Sequence, residues 1–140
     1  MKDSLFIRGK VPMTKAEVRA VSISKLELPS DAVVYDVGAG TGSVTIEMAL
    51  QLPQGTVYAI ERNSDAVDLL HQNCEKFGVS NVKIVPGLAP EAFEGLPVAT
   101  HAFLGGTGGR VEEILRQLLG KNPSMRIVIN VIALESLQAV

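Results

Sequence analysis

The spacing of apolar residues changes period several times along the chain, and each change marks an element. Val33-Val34-Tyr35-Asp36-Val37 is a β-branched run bounded by turn residues, which predicts a short buried strand. Residues 44–52 follow with helical spacing and stop at Pro53. Residues 56–60 form a second strand-like run that ends in Glu61 and Arg62. Ser64 is placed to cap the next helix, whose Val67, Leu70, Cys74 and Phe77 share one face, and Gly78 suits the position just past its end. A third strand is predicted over 82–85, a short helix over 91–93 and a fourth strand over 100–104. A helix over 110–119 closed by Gly120 comes next, then a fifth strand over 125–131 and a last helix beginning near Leu134. Before the first strand, Thr14 and Glu17 have the spacing of a reciprocal capping box, which predicts a helix running to about Leu26. The first ten residues read as a polar, flexible arm.

Strands thus alternate with helices without an internal repeat. The pattern predicts a doubly wound α/β fold, a mainly parallel sheet with right-handed crossovers and helices on both faces. Ligands of such sheets bind outside the carboxyl ends of the strands, near the point where strand order reverses. The loops after the first and fourth strands should meet there. The chain is expected to form one domain over residues 1–140, with residues 1–30 as a basic N-terminal arm and helix.

Composition narrows the function classes. Of 140 residues, 46% are hydrophobic and 20% charged, a balance that excludes disorder. Cys74 is the single cysteine, so neither an internal disulfide nor a cysteine-rich zinc site is available. His71 and His101 are the only histidines, and no metal site is expected. A net charge of −2 and 4% aromatic residues argue against a nucleic-acid partner. No apolar run has signal-peptide length, and the most apolar stretch, residues 127–134, is short and interrupted by Asn130. A cytoplasmic protein with no membrane association is the expectation. The average charge hides a contrast. Lys2, Arg8, Lys10, Lys15, Arg19 and Lys25 outnumber Asp3, Glu17 and Glu27 in residues 1–30, a net of +3, whereas residues 31–140 carry a net of −5.

Glycine is equally uneven. Of thirteen glycines, seven fall in two loops: Gly38, Gly40 and Gly42 after the first strand, and Gly105, Gly106, Gly108 and Gly109 after the fourth. A glycine loop between strand and helix permits a tight turn and lets a ligand approach the backbone. Glu61, at the end of the second strand, stands where a carboxylate can accept hydrogen bonds from both hydroxyls of an adenosine ribose. A dinucleotide site needs glycines at the first, third and sixth positions, and the sixth position here is Ser43.

Counted from Gly38, the glycines of Asp36-Val37-Gly38-Ala39-Gly40-Thr41-Gly42 fall instead at the first, third and fifth positions, a spacing that resembles motif I of the class I S-adenosylmethionine-dependent methyltransferases. Pro12-Met13-Thr14-Lys15-x-Glu17, Ala59-Ile60-Glu61-Arg62-Asn63, Phe77-Gly78-Val79-x-Asn81-Val82 and Gly105-Gly106-x-Gly108-Gly109 occur in order around it. Together they resemble the decarboxylating precorrin methyltransferases of cobalamin biosynthesis over about residues 8–140. The resemblance implies a Rossmann-like class I methyltransferase fold whose normal seven-stranded sheet would lack its final strands here, as in a C-terminally shortened domain. It implies methyl transfer from S-adenosylmethionine to a precorrin meso carbon, with loss of carbon dioxide from the ring C acetate.

The resemblance also assigns positions. Met13, Thr14, Asp36, Gly38, Ala39, Gly40, Thr41, Gly42, Glu61 and Arg62 would hold the cofactor. The chain departs from the pattern after the third strand, where many such methyltransferases place an acid facing the adenine amino group. Leu88 stands there and would pack on the adenine, with the backbone of Leu88 and Ala89 reading its edge. Gly105, Gly106, Thr107, Gly108 and Gly109 would face the flat macrocycle, and their amides could bind a carboxylate. Arg8, Lys10 and Lys15, with Arg19, would complement the carboxylates of the precorrin tetrapyrrole. Asp36 could equally hold the glycine turn. No catalytic acid or base is assigned, because the methyl is already activated and alignment suffices. The family further suggests a homo-oligomer, a tetramer, and fusion or partnership with a second precorrin methyltransferase domain. An RNA methyltransferase sharing the cofactor half, a nicotinamide oxidoreductase and a non-catalytic cofactor-binding subunit are the alternative readings.

Overall fold

In the computed structural model, which describes residues 1–131, the β-branched run forms strand β1 (Val33–Val37). Its alternating side chains define the two faces of the sheet. Val34 packs into a cluster with Ile23, Leu26, Val44 and Met48, while Tyr35 and Val37 join Phe93, Ile114 and Leu118 on the opposite face. The period-2 pattern of one strand therefore separates two cores.

The remaining strands are β2 (Thr56–Glu61), β3 (Val82–Pro86), β4 (His101–Leu104) and β5 (Arg126–Ile129). All pair in parallel, in the order β3-β2-β1-β4-β5. Helices α1 (Ala16–Leu26), α2 (Ser43–Ala49) and α3 (Ser64–Phe77) cover the Val34 face, and α4 (Val111–Lys121) covers the Tyr35 face. The order reverses between β1 and β4, which opens a crevice at their carboxyl ends. The doubly wound architecture is as expected. The last helix expected near Leu134 lies outside the described residues.

Several local expectations are corrected. Helix α1 begins at Ala16 with Lys15 in the capping position and no side-chain cap, so Thr14 and Glu17 form no capping box. Asn63, not Ser64, caps α3, its side chain accepting the Ala66 N–H at 3.0 Å. Gly120 lies inside α4, which Asn122 ends. Helix α2 ends at Ala49, well before Pro53.

The largest correction concerns the N-terminal arm. Residues 1–15 are docked by Arg19, which is fully buried. Its Nε donates to Glu47 at 2.5 Å, its Nη1 to Asp3 at 2.7 Å and to the Thr14 carbonyl, and its Nη2 to the Met1 carbonyl at 2.6 Å. The guanidinium also stands 5.0 Å from the centre of the Phe6 ring. Arg19 is thus a staple inside the fold and does not face a substrate. A short 3-10 turn at Asp3–Leu5 and the buried Phe6, whose ring meets Phe77 at 5.1 Å, complete the docking.

Removing the buried Arg19 leaves Glu47, 15% exposed, and the Thr14 and Met1 carbonyls without their donor, at a cost of about 1–3 kcal/mol. Arg19→Met should lower unfolding free energy in urea by an amount of that order, whereas Arg116→Ala on the surface of α4 should leave the midpoint nearly unchanged. Equal midpoint shifts in the two variants would contradict the staple.

Candidate functional site

The site is built from backbone before any side chain enters. The Ile60 carbonyl, near the end of β2, accepts the N–H groups of Gly38 and Ala39 at 2.9 and 3.0 Å. The Val37 carbonyl, ending β1, accepts those of Gly105 and Gly106 at 2.9 and 3.1 Å. Each glycine loop therefore hangs from the end of the neighbouring strand. The loops then meet: Gly38 has φ +74°, and a Cβ on it would lie 2.6 Å from the Gly106 backbone. With the Gly105 and Gly106 amides engaged, the expected carboxylate-binding role of this loop narrows to residues 107–109.

Glu61 locks the next layer. Its Oε1 accepts the Gly40 N–H at 2.8 Å and its Oε2 the Asn63 N–H at 2.9 Å, with 9% of the residue exposed. Each carboxylate oxygen has a second acceptor position, so the side chain shapes the loop and can still receive two hydroxyls.

These loops floor a cavity of about 830 Å³ at the carboxyl edge of the sheet. Among the residues singled out from sequence, Gly38, Gly40, Glu61, Arg62, Leu88 and Ala89 line it on the cofactor side. Gly105, Gly106, Thr107 and Gly108 line it opposite, and Lys10, Met13 and Thr14 close a third side. The others stand elsewhere. Arg8, Lys15 and Gly109 are exposed away from the lining, and Asp36, Ala39, Thr41 and Gly42 are buried and outside it.

Asp36 shows why. It shares the α2-facing side of β1 with Val34, is 1% exposed and accepts the Thr45 hydroxyl. Burial raises its carboxyl to about 7, against the Thr45 hydrogen bond and with help from the Glu61 charge. Its Oδ1, like the Thr41 hydroxyl, has no hydrogen-bond partner among the described residues. The residue ties β1 to α2 and does not line the cavity.

The structure adds residues that sequence reasoning passed over. Asn130 lines the cavity just past β5, and its N–H reaches the Leu104 carbonyl at 3.0 Å. It appeared in the sequence only as a break in an apolar run, and a polar residue at the carboxyl end of a buried parallel strand was the available signal. Asn63, Asp65, Asp68 and Gln72 bring the start of α3 onto the cavity, where helical spacing alone gave no reason to prefer a polar face. His101, at the opposite end of the sheet, bonds Thr100 at 2.7 Å, and Cys74 packs half-buried beside Leu70, both as structural residues.

Compared with known proteins, residues 5–140 match the family model described as a precorrin methyltransferase domain. The chain is 47% identical to the decarboxylating cobalt-precorrin-6B C(15)-methyltransferase of Salmonella typhimurium, covering 99% of this chain and 72% of that one. The structure superposes on a precorrin-6y C5,15-methyltransferase from Geobacter metallireducens with a TM-score of 0.93 at 40% identity, over 99% of this chain and 74% of the other. A precorrin 8w decarboxylase from Methanobacterium thermoautotrophicum gives 0.91 at 38% identity, over 99% and 75%.

Two outcomes follow from this geometry. Gly38→Ala should push the two glycine loops apart and lower thermal stability together with affinity for any ligand of the cavity; an unchanged melting temperature would refute the close approach. Asp36 binds its proton more tightly folded than unfolded, so its contribution is intact below the ordinary carboxyl value near 3.8 and is lost as pH rises through about 7. The stability difference between Asp36→Asn and the parent protein, measured by urea unfolding, should therefore shift in favour of the variant across that range. A pH-independent difference would show that the carboxyl is not raised.

Proposed function

The chain belongs to the precorrin methyltransferase domain family, and from that membership we propose that it transfers a methyl group from S-adenosylmethionine to a precorrin meso carbon. The reaction is coupled to loss of carbon dioxide from the ring C acetate, within cobalamin biosynthesis. The observation that carries the cofactor half is Glu61. Its carboxylate is fixed by Gly40 and Asn63 at the rim of a glycine-floored cavity and keeps an acceptor position free on each oxygen. That donor set fits a nucleoside ribose, and the backbone cradle at Gly38 has no room for a side chain.

S-adenosylmethionine supplies an activated sulfonium methyl when bound. The chain's own residues then bind and align. Gly38 and Gly40 bring backbone close, Glu61 receives the ribose hydroxyls, and Leu88 with Ala89 offers an apolar flank for the adenine. Met13 and Thr14 narrow the opposite side. The Gly105–Gly108 stretch presents little bulk to a flat macrocycle. Lys10 and Arg62 offer cations within the cavity to the carboxylates of the tetrapyrrole, and the exposed Arg8 and Lys15 add long-range attraction. Asn130 can donate or accept at the β5 end. Methyl transfer needs no protein base, because the conjugated tetrapyrrole carbon is itself electron-rich. Once the ring has been methylated or protonated, its conjugated system takes up the electron pair left as the acetate C–C bond breaks and carbon dioxide departs. A proton then completes the residual carbon as a methyl group. The protein's part is to orient the acetate and limit its hydration. The family reading carries with it a cytoplasmic setting, a homotetramer and a second precorrin methyltransferase domain as fusion or partner.

Titration calorimetry with S-adenosylhomocysteine and NAD, followed by mass spectrometry of a precorrin incubated with S-adenosylmethionine, tests the reading. Binding of the homocysteine form and a methylated, decarboxylated product are expected. Tight NAD binding alone would overturn it. Glu61→Gln should weaken S-adenosylhomocysteine binding about 10- to 100-fold, the scale of hydrogen bonds to a charged acceptor. Precorrin affinity should fall with salt, and Lys10→Ala should flatten that dependence.

A further inference from the structure

The wall formed by residues 9–14 is continuous with the docked N-terminal segment, and one buried side chain ties both to the glycine loop. Asn73, on α3, is fully buried. Its Oδ1 accepts the Ile7 N–H at 2.8 Å, and its Nδ2 donates to the Ile7 carbonyl at 2.9 Å. The same Nδ2 donates to the Thr41 carbonyl at 2.8 Å. Ile7 is two residues from Gly9, the first residue of the cavity wall, and Thr41 sits between Gly40 and Gly42. A neutral carboxamide offers both an acceptor and two donors, as this arrangement requires. Ionised aspartate lacks the donors, and an aliphatic residue lacks both.

We propose that Asn73 is a positioning residue that clamps the N-terminal wall to the glycine loop, so that cofactor affinity depends on a side chain that does not line the cavity. The proposal rests on the cofactor reading above. Phe6 and Arg19 hold residues 1–6 on the body of the protein, and Lys76 donates to the Leu5 carbonyl. Beyond Ile7 the chain turns through Gly9 with φ +56°, and Arg8 and Lys10 are exposed. Asn73 is therefore the side chain that fixes the path of the wall where it leaves the body and starts across the cavity.

The test uses the full chain carrying Asn73→Asp or Asn73→Ser. Trypsin cleavage after Arg8 and Lys10 reads the wall, and calorimetry with S-adenosylhomocysteine reads the site. Cleavage without ligand should quicken at least tenfold, and the dissociation constant at pH 8 should rise about tenfold. Lowering the pH should partly restore Asn73→Asp relative to the parent protein, because a neutral carboxyl regains one donor. Ile114→Val, against the opposite face of the sheet, should lower the melting temperature and move neither readout. Should the Asn73 variants fail to fold, Ile7→Pro leaves Asn73 in place and removes the N–H that its Oδ1 accepts, and the extended Phe6 backbone (φ −94°, ψ 144°) tolerates a following proline. It should raise cleavage and the dissociation constant in the same direction. Unchanged cleavage, or faster cleavage with parental affinity, overturns the clamp, as does Ile114→Val reproducing both effects. A parent protein that binds no S-adenosylhomocysteine overturns the cofactor reading and the coupling with it, whereas parental binding with unaffected variants overturns the coupling alone.

Discussion

Two glycine loops cross at the switch point of the sheet with no space between them for a single methyl group. Gly38 and Gly106 make that approach, and the carbonyl of Val37 holds it by accepting two amides of the opposite loop. Because β1 and β4 are adjacent and parallel, their outgoing chains must part toward helices on opposite faces, and the crevice between them is the cavity. A side chain at Gly38 would force the loops apart and carry Glu61, bound to Gly40, with them. The position of the carboxylate is thus a consequence of backbone contact two residues away.

The buried polar residues divide between structural ties and the cavity. Arg19, Asn73 and Asp36 lie among the least exposed residues, and none of them lines the cavity. Arg19 binds two carbonyls and Asp3 of the N-terminal segment together with Glu47 of α2, Asn73 joins that segment to the glycine loop, and Asp36 ties β1 to α2 through Thr45. The cavity itself is lined by glycine, by apolar residues and by polar groups carried on strand ends, on α3 and on the N-terminal wall. Such a division suits a reaction in which alignment and exclusion of water matter more than acid–base chemistry.

The basic N-terminal segment is accordingly not a uniform patch. Of its cations, Arg19 is internal, Lys10 faces the cavity, and Arg8 and Lys15 point elsewhere. Net charge counts these side chains equally, whereas a bound polyanion responds to their distance and solvation.

The order of elements, the parallel sheet and the two glycine loops were legible in the chain, because hydrophobic period and glycine placement are local properties of the backbone. Val33–Val37 and the Gly78 terminus of α3 were read directly, as was Glu61 at the end of β2. Boundaries shifted where two polar residues competed for one cap, as at Asn63 and Ser64, since a cap is chosen by the path of the incoming chain. In the sequence Arg19 reads as one more cation for the substrate's carboxylates, Asn73 carries no signal of its own, and Asn130 stands out only as a break in an apolar run. Their roles arise from partners brought in by the fold, such as Glu47, 28 residues from Arg19, and Ile7, 66 residues from Asn73. The chain by itself determined which segments turn, extend and coil. Only tertiary structure decided which polar groups are sealed inside and which face the cavity, because desolvation depends on every element packed around a group.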